Sequence, residues 1–105
     1  MRAGKLRHKL ELQRNSPSRN AVGEEVADWR TIEVFWGAII PLSGRELLNA
    51  QQGAAEMSHR IERRYVSGIT ATDRVKFGSR TFDINAVINV DERDRELHLM
   101  CMEAV

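Results

Sequence analysis

The chain has 105 residues and nearly balanced charge, with sixteen Lys and Arg against fifteen Asp and Glu and a formal net charge of +1. That length suits one domain of average size, and we expect residues 1–105 to form a single domain. The near-neutral charge excludes a global field that would recruit nucleic acid or an anionic membrane.

The first residues carry charges where a secretory signal needs an apolar core. The longest apolar stretch, residues 34–42, is far shorter than the roughly 20 residues of a membrane-spanning helix. Cys101 is the single cysteine, so no internal disulfide forms. We expect a soluble protein made in the cytoplasm, with no membrane partner.

The first predicted strand covers residues 8–14, where His8, Leu10 and Leu12 alternate with polar or charged residues. Residues 15–25 contain turn-forming residues and have no apolar period, so they predict a long flexible loop. Six cations against Glu11 make residues 1–20 locally basic. This basic stretch is either a solvated, frayed terminus or a surface that faces phosphates or an acidic protein.

The second predicted strand, residues 29–40, is apolar on both faces and ends at Pro41. One face carries Ile32, Val34, Trp36, Ala38 and Ile40, and the other carries Phe35, Gly37 and Ile39. A reciprocal capping box between Ser43 and Glu46 then predicts a short helix from Gly44 to about Gln52. Either this helix or a neighbouring subunit must cover the second apolar face.

The rest of the chain predicts four further strands, at residues 55–66, 74–77, 80–90 and 96–103. Gly78 and Ser79 form a two-residue hairpin turn, and a polar loop at residues 91–95 reverses the chain into the last strand. The residues predicted to point inward are Met57, His59, Ile61, Tyr65, Phe82, Ile84, Ala86, Ile88, Val90, Leu97, Leu99 and Cys101.

The predicted fold is mainly β: a small antiparallel β-barrel or sandwich of about six strands, with one short helix and a long flexible loop. Closure of the sheet would hide its edges, which favours the barrel. The sequence contains no internal repeat that argues for another architecture.

The sequence predicts a protein that is not an enzyme, because it contains no phosphate loop, nucleophile elbow or metalloprotease motif. His8, His59 and His98 lie on three predicted strands, but none has the local ligand spacing of a zinc site. Cys101 lies on an apolar strand face and is expected to pack in the core. We therefore expect no cofactor and no metal.

Two rows of charge are predicted to face solvent: Glu56, Arg60, Glu62 and Arg64 on the third strand, and the loop at residues 91–95. They serve either solubility and edge protection or registry between subunits. A different function, binding of single-stranded nucleic acid, would use the basic terminus with Trp29, Trp36 and Tyr65 as stacking platforms.

The ordered set of segments resembles the bacteriophage head-tail joining family, also called head-completion or head-closure proteins. The resemblance covers nearly the whole chain, and the variable part is residues 15–25. The matching segments are His8 to Arg14, Trp29 and Trp36, Pro41 to Leu47, His59 to Tyr65, Arg74 to Gly78, and Ile88 to Leu97.

The resemblance implies a structural protein of the virion head-tail junction, assembled in the cytoplasm of the bacterial host. Such proteins dock as a ring on the portal or its adaptor after DNA packaging, and either a phage or a prophage encodes them. They close the head and present the surface for a tail-completion or tail-terminator protein. Genomic DNA passes through the channel without sequence-specific binding.

On this resemblance, three segments are hypothesised to contact other subunits or partners. The loop would reach toward the channel or a neighbour, and the predicted helix and the closing hairpin would meet adjacent subunits or the adaptor. The residues are Ser16, Arg19, Asn20, Gly23, Glu24, Glu25, Arg45, Glu46, Asp91, Glu92, Arg93, Asp94 and Arg95.

Overall fold

A computed structural model describes residues 3–44 and 57–104 of the chain. Short 3₁₀ turns lie at Ala3–Lys5 and Val90–Glu92. The strands are β1 (His8–Asn15), β2 (Ser18–Arg19), β3 (Glu25–Val26), β4 (Trp29–Pro41), β5 (His59–Arg64), β6 (Arg74–Phe77), β7 (Arg80–Asn89) and β8 (Glu96–Glu103).

Six of these strands form a closed antiparallel barrel in the order β1-β4-β5-β8-β7-β6, and β6 pairs back onto β1. The structure therefore selects the barrel over the sandwich. The closing seam has three residue pairs, Glu11 with Lys76, Leu12 with Val75, and Gln13 with Arg74. Strands β2 and β3 form a separate two-stranded sheet.

The core lies inside the barrel and takes side chains from all six of its strands. Burial of this apolar surface supplies the main stabilisation of the fold. The cluster comprises Leu10, Leu12, Phe35, Ile61, Val75, Phe82, Ile84, Leu97, Leu99 and Cys101.

Strand positions agree closely with the sequence prediction, and the turn at Gly78 has the positive φ of 60° that favours glycine. Residues 15–25, predicted as a loop, instead carry β2 and the start of β3. The predicted helix, beyond Gly44, lies outside the described residues, as do residues 55 and 56 of the predicted third strand. No helix in the described ranges is long and apolar enough to span a bilayer.

Strand β4 turns one apolar face to the core and leaves part of the other uncovered. Phe35 is buried, whereas Val34 and Trp36 are 53% and 57% exposed. Ile32, predicted on the same face, is opposed by no β1 residue, because the register shifts from Leu12–Glu33 to Gln13–Thr31. Val34 and Trp36 are therefore exposed on the face for which the sequence predicts a covering element.

The predicted inward face of β7 is wrong beyond Ile84, because the pairing of β7 with β8 contains a register shift. The irregularity lies between Ile84 and Ala86, so that Val87, rather than Ile88, packs against the core. An extra residue in one strand reverses the alternation beyond it, and Ile88 is 46% exposed. The inward prediction for Tyr65 is also wrong, because β5 ends at Arg64 and Tyr65 is exposed.

Gly37 occupies a crowded position inside the barrel. A Cβ atom there would lie 2.9 Å from Leu10 Cδ1, 3.1 Å from the Glu62 carbonyl oxygen and 3.2 Å from Phe35 Cε2. The backbone atom cannot move aside without disturbing the β4–β5 ladder, in which Gly37 pairs with Arg63.

We expect Gly37→Ala to lower the free energy of unfolding by about 1–3 kcal/mol, the usual cost of overpacking a filled core. Urea denaturation followed by circular dichroism measures the change. Gly4→Ala is the matched control, because no atom lies within 4 Å of a Cβ built there. Equal stability of the two variants would show that the barrel has spare room at Gly37.

Candidate docking surfaces

The segment between β1 and β4 forms a projecting hairpin, which we call the arm (residues 16–28). Its turn is organised by Asn20, whose Oδ1 accepts from the backbone N–H groups of Val22 (3.1 Å) and Glu24 (3.0 Å). Gly23 has a φ of 83°, which favours glycine. Val22 at the tip is 77% exposed, so the arm presents an apolar residue to its surroundings.

The base of the arm is fixed to the barrel. Ser16 N donates to Asp28 O at 2.8 Å, and Asp28 N donates to Asn15 Oδ1 at 2.9 Å. Arg19 Nη1 donates to Gly23 O at 2.8 Å. The arm thus brings together six of the predicted interface residues: Ser16, Arg19, Asn20, Gly23, Glu24 and Glu25.

The β7–β8 turn forms the second predicted surface, which we call the acidic tip (residues 91–95). All five of its residues are exposed, and Asp91, Glu92 and Asp94 have φ angles of 53–56°. This conformation is strained for residues other than glycine. Asn89 holds it in place, donating to Asp94 Oδ1 and accepting from Asp94 N. The tip is therefore a shaped feature of the surface.

The arm and the acidic tip emerge at the same end of the barrel. Strands β1 and β7 are both antiparallel to β6, so they run in the same direction and their following turns lie at one end. The two features leave from strands that are separated by β6. Arg45 and Glu46, the other predicted contact residues, lie outside the described residues.

A buried carboxylate braces this end of the barrel. Asp73, whose side chain is fully buried, accepts from Arg14 Nε and Nη2 at 2.9 Å each and from Thr70 N at 3.0 Å. Arg14 Nη2 also donates to Gly68 O at 2.7 Å. Burial raises the pKa of Asp73, but the hydrogen bonds from Arg14 and Thr70 outweigh it and leave the pKa below its ordinary 3.8.

When folding lowers the pKa of a carboxyl group, the ionised carboxylate stabilises the folded state. We expect the stability from Asp73 to be fully present above pH 3.8 and to be lost as the pH falls through that value toward the lower pKa of the folded state. Asp73→Asn should therefore lower the melting temperature at pH 7 and weaken its fall on acidification.

Thermal denaturation between pH 7 and pH 2.5 measures both effects. Asp91→Asn is the matched control, because Asp91 is exposed and asparagine tolerates a positive φ. A pH profile for Asp73→Asn that matches the unsubstituted protein would contradict the assigned role.

The prediction that Glu62 faces solvent in a row of charges is wrong, because Glu62 is only 2% exposed. Its Oε1 accepts from Lys5 Nζ and its Oε2 from Arg60 Nε, both at 2.9 Å. Burial raises the pKa of Glu62, but these hydrogen bonds bring it below its ordinary value. The basic N-terminal stretch therefore helps fasten the Ala3–Lys5 turn to the barrel.

Glu62 also meets His98 and Glu96, and the three side chains have the donor types of a metal site, with ligand atoms within 4.8 Å of one another. The donors are already paired: Glu62 binds two cations, and His98 Nε2 lies 2.8 Å from Glu96 Oε2. A metal ion would have to displace these partners. The arrangement fits an ionic network better than a metal centre.

Arg63, Cys101 and Trp29 have structural roles in the barrel, whereas Trp36 and Tyr65, the other two predicted stacking residues, are exposed. Arg63 forms a bidentate pair with Glu33 at 2.7 and 2.9 Å and lies 4.2 Å from the ring centroid of Phe35. Burial raises the pKa of the Cys101 thiol to about 12, which keeps it protonated. The Arg74 guanidinium carbon lies 4.2 Å from the ring centroid of Trp29. Because the guanidinium covers one face of the ring, Trp29 is a poor stacking platform for a nucleotide base.

The described residues form a small closed barrel from which two turns project, the arm and the acidic tip. The model of the phage head completion protein family matches residues 1–104, and the chain belongs to that family. The protein is therefore a structural, head-related component of a phage particle. No curated protein sequence matches the chain.

Two solved structures share the fold. The solution structure of protein SF1141 from Shigella flexneri 2a is similar with a TM-score of 0.78 and 24% identity, covering 100% of this chain and 98% of that one. A chain from the virion of a native gene transfer agent particle is similar with a TM-score of 0.68 and 20% identity, covering 95% of this chain and 96% of that one.

Proposed function

We propose that this protein acts as a single domain that docks as a ring on the portal or its adaptor after DNA packaging, at the head-tail junction. The ring closes the filled head and presents the surface to which a tail-completion or tail-terminator protein binds. The family match over residues 1–104 carries this proposal, because it assigns the chain to the head completion proteins, for which the resemblance implies a role after packaging and before tail joining.

The two ends of the barrel differ in a way that suits a protein placed between two partners. The arm, the acidic tip and the Asp73 brace lie at one end, and the β6–β7 turn at Gly78 lies at the other. A ring of such subunits presents the loop-rich end to one partner and the plain end to the other. Genomic DNA passes through the ring with no sequence-specific contact.

The arm and the acidic tip are the proposed contact surfaces. Both are exposed and internally hydrogen-bonded, so little conformational entropy is lost when they bind. In the ring the arm would reach the channel or a neighbouring subunit. The acidic tip would meet an adjacent subunit or the adaptor.

Co-sedimentation with DNA-filled, tailless heads from the parent phage tests the proposed function. We expect saturable binding of the purified protein and restored tail attachment when tails are added. A folded protein that neither binds these heads nor restores tail joining would contradict the proposal. Salt-sensitive binding to single-stranded oligonucleotides would instead favour nucleic-acid binding as the function.

Replacing residues 18–26 with two glycines should leave the barrel folded and abolish head closure. The Ser16–Asp28 hydrogen bond lies below the cut, so the closing turn retains its anchor. Circular dichroism checks the fold, and the head co-sedimentation assay with tail rescue checks the function. Val22→Ser is a matched control that keeps the arm but removes its apolar tip.

Unfolding of the shortened protein would show that the arm is part of the folding unit. Full rescue of tail attachment by the shortened protein would remove the arm from the proposed mechanism. Loss caused by Val22→Ser alone would locate the contact at the tip of the arm.

A further inference from the structure

We propose that a protein of the filled head adds an extended segment, as a new strand, along a free edge formed by β3 and the first half of β4. The inference rests on the proposed docking to the head, and it names the surface and the kind of segment that binds there. It uses three observations: the direction of the backbone hydrogen bonds in the arm, the partners that β4 lacks, and a proline on the opposite edge.

The pairing of β2 with β3 continues the register in which β1 pairs with the start of β4. Across the arm, Ser16 N donates to Asp28 O at 2.8 Å, and Asn20 N donates to Glu24 O at 2.9 Å. In an antiparallel pair, residues that bond across the ladder alternate with residues whose N–H and C=O groups point away from it. The odd-numbered residues from 25 to 31 therefore point these groups away from β1 and β2.

Within the described ranges, no strand pairs with this edge. Strand β5 joins β4 only from Gly37 to Pro41, so residues 29–36 lack a strand on the side away from β1. Residues 24–27 and 30–32 are all exposed. A strand edge with unpaired N–H and C=O groups is a template for an added strand. The ligand that matches such a row is an extended polypeptide segment.

The parts of the chain outside the described ranges do not reach this edge. The longest of them, residues 45–56, leaves and rejoins the barrel at the other end of β4, where Leu42 N donates to Ser58 O at 3.0 Å. A segment of that length that returns to its start extends at most about 20 Å. Thr31 lies about 33 Å from Pro41 along the strand.

A second copy is a poor partner for the free edge. Copies in a ring share one orientation, so the free edge of one arm would meet the β2 edge of the next. The N–H of Ser16 points into the arm, so the nitrogen of Pro17 points outward along the β2 edge, where proline has no hydrogen to donate. Two free edges pair with each other only across a two-fold axis, which a ring docked on one platform lacks.

A protein of the head is the remaining partner that the proposed function supplies at the docking step. Each copy then binds before a tail is present, and main-chain hydrogen bonds give strand addition its affinity. A groove of about 280 Å³ continues the free edge and has room for a side chain of the added strand. It is lined by apolar and by ion-paired side chains, namely Leu12, Ile32, Val66, Ile69, Arg14 and Glu33.

Hydrogen exchange followed by mass spectrometry tests the contact on the unsubstituted protein, free and bound to DNA-filled, tailless heads. We expect peptides that cover residues 24–32 to exchange fast in the free protein and slowly on the heads. Peptides from β7 are the internal control, because β7 is already paired with both β6 and β8.

Ala27→Pro removes one outward N–H from the free edge and leaves the bonds across the arm in place. We expect head binding to weaken by roughly tenfold, as for the loss of one main-chain hydrogen bond per copy. Ala27→Val is the matched control, because it keeps the N–H and suits an extended strand. Circular dichroism checks the fold, and if Ala27→Pro does not fold, the exchange and cross-linking results decide.

Photo-cross-linking identifies the partner. Ala27→Cys is labelled with benzophenone maleimide, bound to the heads, illuminated and analysed by mass spectrometry. The buried Cys101 thiol, with its pKa of about 12, should not be labelled. We expect an adduct with a head protein. Ser79→Cys, in the β6–β7 turn at the opposite end of the barrel, is the control and should give no adduct on tailless heads.

The outcomes separate this inference from the proposed function. Protection of residues 24–32 with a head-protein adduct supports the contact. Bound protein without protection, equal head binding by Ala27→Pro and Ala27→Val, or adducts only with another copy would overturn it and leave head closure standing. Protection that appears only after tails are added would also overturn it. Absence of head binding by the unsubstituted protein would remove both proposals.

Discussion

Closure of the barrel between β1 and β6 is the constraint on which the rest of the structure depends. The seam has only three residue pairs, and it buries Leu12 and Val75 against each other. Side chains reinforce it, because Arg74 Nε donates to Gln13 Oε1 at 2.8 Å and Arg14 pairs with Asp73 at the next position. Without this seam the sheet would be open and would expose two edges to aggregation.

The same seam positions the surfaces that we propose for assembly. The arm continues directly from the end of β1, and the Arg14–Asp73 brace fastens the β5–β6 connection beside the base of the arm. Closure also fixes β4 and β7 on opposite sides of the barrel. A rigid barrel with shaped projections is suited to a structural part of a phage particle.

The sequence predicts the barrel strands well, because alternation of polar and apolar residues reports a half-buried strand directly. It misses features that depend on one extra residue or on distant partners. The register shift beside Ala86 reverses the face of Ile88, and local periodicity carries no trace of such a shift. The burial of Glu62 depends on Lys5, which lies 57 residues away in sequence.

The two segments proposed as contact surfaces were also predictable in part. Turn-forming residues at 15–25 and 91–95 locate the arm and the acidic tip, but the hairpin order of the arm rests on Asn20, whose side-chain hydrogen bonds are not encoded as an apolar pattern. The two-faced apolar run of β4 indicated an uncovered face. Which of its residues stay exposed became clear only from the barrel.

The central claim, a ring of this protein at the junction of the filled head, is tested most directly by electron cryomicroscopy. Heads from a phage lacking this gene are imaged before and after addition of the purified protein, with the portal region reconstructed separately. We predict a new ring of density beneath the portal or its adaptor into which the barrel fits. Saturating binding with no added density at that position, or with density elsewhere on the head, would contradict the account.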